Sequence, residues 1–152
     1  MKENIQIVEN EDQHTISIRI TTTIEELPNI IGINYMKIMS YLEQLGEKPL
    51  DVPFTAYYNL DMQNLDVEMG FIVDKKLPDR DEIKSGVIPQ GKRLTYMYKG
   101  QYDGMQEVYD KIMKWIADNK YELQGVYYEY YYNSPEEVQE SELLTKIVLP
   151  LK

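Results

Sequence analysis

An internal repeat limits the folds open to this sequence more than any other feature. When the sequence is aligned with itself at an offset of 74 residues, segment 19–59 overlays segment 93–133 without a gap. The ten identities pair Arg19 with Arg93, Thr21 with Thr95, Tyr35 with Tyr109, Lys37 with Lys111, Ile38 with Ile112, Met39 with Met113, Val52 with Val126, and Tyr57-Tyr58-Asn59 with Tyr131-Tyr132-Asn133. A long repeat that occurs only twice indicates a duplicated half-domain and not a solenoid.

Both copies contain the same pattern of elements. In the first copy, the alternating, β-branched segment 15–22 predicts a strand, and the capping box Thr23-Ile-Glu-Glu26 predicts the start of a helix. Apolar residues then recur at helical spacing until Gly46, a residue type that often follows the end of a helix. Further strands are predicted at 5–8, 54–60, 66–73, 92–98, 126–133 and 144–150, and a second helix follows Gly100 with Met105, Tyr109, Ile112 and Ile116 on its buried face.

These elements predict an α+β fold made of two strand–helix–strand–strand units. We expect pseudo-twofold symmetry, an antiparallel sheet shared by the units, two main helices, and a central groove where a ligand could bind. A chain of 152 residues fits a single domain, in which the repeat halves span about 1–74 and 87–152. The polar segment 75–86 between them is interpreted as a connector.

Composition argues against several classes of function. The chain has no Cys and a single His, His14, which leaves no basis for thiol chemistry, a His-based triad or a multi-His zinc site. No metal site or cofactor is predicted. The formal net charge of −10 disfavours nucleic acid as a direct partner and favours cationic ligands. No segment has the length of a membrane span or the pattern of a signal peptide, so we expect a cytoplasmic protein without a membrane partner.

Tyrosine is unusually abundant, with fourteen Tyr against two Phe and one Trp. Tyr joins an apolar ring to a polar hydroxyl group, which suits a surface that must be both adhesive and hydrated. In segment 126–133, strand alternation places Tyr127, Glu129 and Tyr131 on one face. A carboxylate among these rings would bind a ligand cation, and each ring would add about 0.5–2 kcal/mol of cation–π attraction. The alternative is that Glu129 is an exposed strand residue paired with a lysine.

Four other residues are candidates for lining the groove. Tyr57 aligns with Tyr131, and the two would face each other across the predicted axis, unless they only pack between strands. Glu68 is a second carboxylate among apolar strand residues, where a bulge or an exposed face is the simpler explanation. Tyr96 and Trp115 complete the set, and core packing is the alternative for a helix aromatic such as Trp115.

Four segments, in their order along the chain, resemble one bacterial family. They are Val87-Ile-Pro-Gln-Gly91, Lys99-Gly-Gln-Tyr102, Gly125-Val-Tyr-Tyr-Glu-Tyr-Tyr-Tyr-Asn-Ser-Pro135 and Leu144-Thr-Lys-Ile-Val-Leu-Pro-Leu151. Together they resemble the GyrI-like (gyrase-inhibitor-like) effector-binding domain, which also forms the ligand-binding part of AraC- and MerR-type regulators. The resemblance implies a duplicated fold with a central groove. It also implies that Glu129 corresponds to the family's buried carboxylate and Tyr131 to the aromatic residue two positions later. Lys146 departs from the family, because many relatives have an acidic residue there.

The resemblance leads to three alternative functions. The first, which we expect, is a stand-alone binding module without a helix-turn-helix domain, which binds hydrophobic, cationic aromatic compounds for multidrug sensing or sequestration. The second is a hydrolase of cyclopropanoid or other electrophilic genotoxins, in which Glu129 or Glu68 would act on water or the leaving group, with a tyrosine as hydrogen-bond donor. The third is a protein-interaction role with a protein partner, such as gyrase inhibition.

Overall fold

The structure of the protein is a computed structural model that describes residues 5–152. Its two α-helices are α1 (Leu27–Leu45) and α2 (Met105–Asp118). Its β-strands are β1 (Ile5–Asn10), β2 (Gln13–Thr22), β3 (Phe54–Tyr57), β4 (Leu65–Val73), β5 (Lys84–Ile88), β6 (Gly91–Lys99), β7 (Tyr127–Tyr131) and β8 (Leu144–Pro150). The strand pairs described below are all antiparallel. The predicted α+β class with two main helices is confirmed.

The chain divides into two compact units, and the first, the 11–90 unit, is continuous in sequence. Its strands lie in the order β3-β4-β2-β5, and α1 covers one face of them. On this face Ile38 and Leu42 of α1 are buried against Ile16 and Ile18 of β2 and Phe71 of β4. The helical spacing of the apolar residues in α1 and the alternation along β2 therefore bury a common core.

The second, the 91–152 unit, consists of residues 91–152 together with β1. Its strands lie in the order β1-β6-β8-β7, and α2 covers one face. Ile112 and Ile116 of α2 are buried against Leu94 of β6 and against Ile147 and Leu149 of β8. In each unit the strand before the helix pairs with an edge strand and with the second strand after the helix, and this second strand also pairs with the first strand after the helix.

The ends of the predicted elements agree with local chemistry. Gly46 follows α1 in the left-handed conformation, at φ 70°, and its backbone N–H donates to the carbonyls of Glu43 and Leu42. Thr23 Oγ1 accepts a hydrogen bond from the backbone N–H of Glu26 at 3.3 Å, which is half of the predicted capping box. The helix itself begins later than this box predicts, at Leu27, and Glu26 occupies its N-cap position. The strand predicted at 5–8 is present as β1 and pairs with β6.

The segment interpreted as a connector, 75–86, overlaps a strand. β5 begins at Lys84 and pairs with β2 from Ser17 to Gln13. Because β5 is an edge strand of only five residues that begins Lys-Ser-Gly, it lacks the apolar alternation by which a sequence pattern indicates a strand. The chain passes between the units at 10/11 and again at 90/91, so the unit boundaries differ from the predicted halves 1–74 and 87–152. Neither helix in the described part of the chain has the length and apolar character of a membrane span.

Candidate functional site

Glu129 lies at the centre of β7, on the sheet face that α2 covers. From α2, the hydroxyl group of Tyr109 donates a hydrogen bond to Glu129 Oε2 at 2.7 Å. From the same strand, the hydroxyl group of Tyr131 donates to Glu129 Oε1 at 2.7 Å. Each carboxylate oxygen therefore accepts one short hydrogen bond from a phenol, and the side chain is fixed in place by a helix and a strand together.

Two further tyrosines extend this arrangement. The ring of Tyr127 packs edge to face on Tyr109, with ring centres 6.3 Å apart. Tyr102, in the short 3-10 helix Tyr102–Gly104 that precedes α2, packs in the same way on Tyr131 at 6.2 Å. We call these four residues the tyrosine cage. Tyr102 is 42% exposed and marks the side of the cage that solvent reaches.

Burial in the tyrosine cage shifts the protonation equilibrium of Glu129 towards its neutral form. Burial raises the pKa of Glu129, although the hydrogen bonds from Tyr109 and Tyr131 act in the opposite direction. Burial also raises the pKa of Tyr102, and the negative charge of Glu129 adds to that shift. Within residues 5–152, the ion pairs of the structure do not involve Glu129. The carboxylate is thus held by uncharged donors.

Thr145 adds an unsatisfied polar group to the same sheet face. It lies on β8, directly opposite Tyr131 of β7 and Tyr98 of β6. Its side chain is fully buried, and Oγ1 has no hydrogen-bond partner in the described part of the chain. A buried hydroxyl group without a partner costs about 1–3 kcal/mol, so a water molecule or a ligand atom that bonded it would be favoured. No sequence pattern indicated this residue.

The second predicted carboxylate, Glu68, lies in the 11–90 unit with a different set of partners. Ser17 Oγ donates to Glu68 Oε2, and the hydroxyl group of Tyr58 donates to Oε1, both at 2.5 Å. Arg19 stacks on the ring of Tyr58 at 3.8 Å and forms two hydrogen bonds with Asp66, at 2.9 and 2.8 Å. Glu68 therefore lies beside a cation that is already paired.

The remaining predicted site residues are distributed over both units. Tyr96 is buried on the α2 side of the sheet, opposite Ile147, which is in turn opposite Glu129. Trp115 stacks on Tyr121 with ring centres 5.7 Å apart. Tyr57 packs on the α1 side of the 11–90 unit. Strand alternation thus predicted the grouping of Glu129 with Tyr127 and Tyr131, whereas Tyr57 and Glu68 belong to the other unit.

Sequence reasoning missed Tyr109 and Tyr102 as neighbours of Glu129. Tyr109 was placed on the buried face of the second helix, which is correct but says nothing about its hydroxyl group. The internal repeat holds a related contact, because Tyr35 aligns with Tyr109 and its hydroxyl group lies 2.9 Å from Thr55 Oγ1, at the position aligned with Glu129. The alignment alone could not show that contact, since it depends on how a helix packs on a strand.

The comparison with protein families gives one match over almost the whole chain. The model of the GyrI-like small molecule binding domain matches residues 3–152. The chain belongs to the GyrI-like family. The resemblance predicted from its segments is confirmed. A comparison with curated proteins gave no match.

Solved structures share the fold of this GyrI-like chain at low sequence identity. The EcmrR C-terminal domain has a TM-score of 0.79 at 24% identity, with coverage of 97% of this chain and 96% of that one. In an EcmrR–DNA complex the TM-score is 0.79 at 23% identity; 97% of this chain is covered, but it spans only 57% of that chain. SAV2435 bound to tetraphenylphosphonium has a TM-score of 0.71 at 12% identity over 97% of this chain and 93% of that one. A hydrolase from Listeria innocua has a TM-score of 0.74 at 10% identity over 98% and 92%.

Proposed function

We propose that the protein binds small hydrophobic compounds that carry a positive charge, and that they bind at Glu129 within the tyrosine cage. The observation that carries this proposal is the state of Glu129, a carboxylate with a raised pKa whose two side-chain hydrogen bonds come from phenols. The membership of the GyrI-like small molecule binding family supports a small ligand. The relative SAV2435, which was solved with tetraphenylphosphonium, supports a lipophilic cation.

The cage offers such a cation two kinds of attraction. The ionised carboxylate of Glu129 would neutralise the positive charge at a place where water screens it poorly. The tyrosine rings would add about 0.5–2 kcal/mol each through cation–π contacts while covering the apolar parts of the ligand. Tyr109 and Tyr131 would keep their hydrogen bonds to Glu129 throughout, so the carboxylate would not need to move.

The test compares a cation with a neutral compound of similar shape, such as tetraphenylphosphonium and triphenylphosphine oxide, by isothermal titration calorimetry. We expect Glu129→Gln to weaken binding of the cation by at least about tenfold, or 1.4 kcal/mol, and to change binding of the neutral compound little. Glu68→Gln is the matched control, because Glu68 also lies on a strand and accepts two side-chain hydroxyl groups. Equal binding of the cation by wild type and Glu129→Gln would refute the proposal.

Binding of the cation should also depend on pH. A bound cation stabilises the ionised form of Glu129, whose pKa is raised in the free protein, so protonation competes with the ligand at low pH. We expect the affinity of wild type for tetraphenylphosphonium to rise between pH 5 and pH 8 and that of Glu129→Gln to stay constant. An affinity that is independent of pH in wild type would contradict the role given to this carboxylate.

A second candidate is hydrolysis of electrophilic compounds such as activated cyclopropanes. The raised pKa of Glu129 favours it, since a general acid or base works best with a pKa near the ambient pH. Glu129 would take a proton from the water whose oxygen bonds to the ring carbon as the carbon–carbon bond breaks. The protonated Glu129 would then give this proton to the carbanion that the broken bond leaves, which returns Glu129 to its ionised form. Mass spectrometry of an activated cyclopropane incubated with wild type and with Glu129→Gln tests this candidate; a ring-opened product that requires Glu129 supports it.

We also infer that the two units arose by duplication. Besides the sequence repeat, Asn59 and Asn133 support this inference, because both side-chain amides join the end of one strand to the start of the next. The amide oxygen of Asn59 accepts from the backbone N–H of Asp66 at 3.1 Å, and that of Asn133 accepts from Leu144 at 2.9 Å. In both cases the amide nitrogen donates to a carbonyl in the intervening loop.

A further inference from the structure

The face of α1 that points away from its sheet carries an apolar patch. Ile33, Met36 and Met39 are 44%, 74% and 37% exposed. Gly32 and Ser40, also exposed, flank them at helical spacing, so the five residues form one stripe. We call this stripe, residues 32, 33, 36, 39 and 40, the outer patch. It contains no charged side chain.

The helix α2 shows that the fold does not require this patch. The α2 residues that align with Ile33, Met36 and Ser40 in the repeat are exposed and charged: Glu107, Asp110 and Lys114. Both helices nevertheless bury their inner faces against a sheet in the same manner. An exposed apolar stripe does not stabilise the folded chain by itself, because its side chains remain in contact with water. Such a stripe therefore usually marks a surface that another molecule covers.

We propose that the outer patch binds the outer patch of a second copy of this chain, as an antiparallel α1–α1 contact on a twofold axis. Met36 is the midpoint of α1, which runs from Leu27 to Leu45. The patch is palindromic about it, with large apolar residues three positions away on both sides and small residues four positions away on both sides. A twofold contact needs such a self-complementary surface.

In this contact Met36 meets the partner's Met36, and Ile33 meets the partner's Met39. Gly32 meets the partner's Ser40. The space at the Cβ position of Gly32 is open, and because Gly32 has no side chain to fill it, the two backbones can approach closely there. The net charge of −10 disfavours two other possible partners for this patch, an anionic lipid surface and a nucleic acid, because the protein would repel both. It also makes two copies repel each other at long range, so salt should strengthen the dimer.

One helix pair makes a small interface. It falls in the class below about 1,200 Å² of buried surface, for which association is weak, so we expect a dissociation constant of about 10–100 μM. Sedimentation velocity across this concentration range should show wild type changing from monomer to dimer. Met36→Glu should stay monomeric, and it should fold because the aligned position of α2 is Asp110. Met97→Glu, at a residue of β6 that is 43% exposed, is the control and should dimerise as wild type does.

Cross-linking tests the geometry directly, because the chain contains no Cys. Met36→Cys should form a disulfide-linked dimer rapidly under mild oxidation, since the twofold axis brings the two Cα atoms within about 7 Å. Ile33→Cys and Met39→Cys should each cross-link slowly alone and rapidly when mixed. Met97→Cys controls for random collisions.

Three results would overturn the proposal. The first is a wild-type chain that stays monomeric up to about 500 μM, which is well above the expected dissociation constant. The second is a dimer that persists in Met36→Glu. The third is cross-linking of Met36→Cys that is no faster than that of Met97→Cys. A wild-type dimer that Met36→Glu abolishes, together with the mixed Ile33→Cys and Met39→Cys cross-link, would establish it.

Discussion

Glu129 and Glu68 show how two residues of one type acquire different chemical characters from their neighbours. Both lie on strands, and both accept hydrogen bonds from two side-chain hydroxyl groups. Glu68 lies next to Arg19, which is already paired with Asp66, whereas the structure gives Glu129 only phenolic partners among side chains in residues 5–152. The cation of the proposed function would therefore gain more at Glu129, where it would supply the missing positive charge.

At this scale, stability should depend on the protonation of Glu129. Its pKa is raised in the folded protein above the ordinary value of a glutamate side chain, so the folded state binds this proton more tightly than the unfolded state does. The free energy of unfolding therefore falls as the pH rises from about 4.5 through the folded pKa. We expect Glu129→Gln to have a higher melting temperature than wild type at pH 7, because it has no buried charge at this position. Each kcal/mol that the substitution adds to the free energy of unfolding should raise the melting temperature by about 2–4 °C.

Melting curves of wild type and Glu129→Gln at pH 4 and pH 7 check this prediction, and the difference between the two proteins should be smaller at pH 4. Glu140→Gln controls for the loss of one negative charge at an exposed position. If the melting temperatures of wild type and Glu129→Gln differed by the same amount at both pH values, burial of the ionised carboxylate would not destabilise the protein, and the prediction would be wrong.

At the scale of the secondary-structure elements, the sequence predicted which helices and strands exist better than it predicted the register in which the strands pair. The helices and most strands follow from periodicity, because each buries one apolar face. The offset of 74 residues holds from the helix to the following strand, but it does not hold beyond that strand. The hydrogen bond between Asn59 and Asp66 joins residues 7 apart, whereas the one between Asn133 and Leu144 joins residues 11 apart. The extra four residues lie in a loop, and an ungapped alignment cannot show them.

Aligned residues at the start of the repeat are likewise not equivalent in the sheet. Arg19 lies opposite Glu68, whereas Arg93, its aligned residue, lies opposite Pro150. Within the site, the contact of Tyr131 with Glu129 was predictable from alternation along one strand. Tyr109 was not, because its hydroxyl group reaches Glu129 only through the packing of α2 on the sheet.

Gly32 within α1 and Gly46 directly after it provide a matched test of why this helix ends where it does. Gly46 has φ 70°, a conformation that costs an L-residue about 1 kcal/mol, so Gly46→Ala should destabilise the protein by about that amount. Gly32 lies inside the helix with open space at its Cβ position, so Gly32→Ala should stabilise it by about 0.5–1 kcal/mol. Urea unfolding at a protein concentration of about 1 μM, below the expected dimerisation range, measures both. Changes of the same sign would contradict the assignment of Gly46 as the cap.

Over the whole molecule, the net charge of −10 should act on ligands before they reach the cage. The summed field attracts cations over distances of about 10 Å at 0.1 M salt and is screened at higher ionic strength. We expect the association rate of tetraphenylphosphonium, measured by stopped-flow tyrosine fluorescence, to fall as salt is raised from about 20 to 500 mM, a range that shortens the screening length severalfold. The rate for triphenylphosphine oxide should change little. Equal salt dependence for both compounds would exclude steering by the protein's charge.

The pairing of β1 with β6 determines the order in which this chain can fold during its synthesis. Ile5 is opposite Tyr96, a separation of 91 residues (96 − 5), whereas every strand of the 11–90 unit lies within that segment. The 11–90 unit can therefore be completed while the remainder of the chain is still being made. β1 must wait for β6 to leave the ribosome, on the order of 10 s at usual rates of translation. Although β1 is translated before β2–β8, it is among the last of these strands to pair.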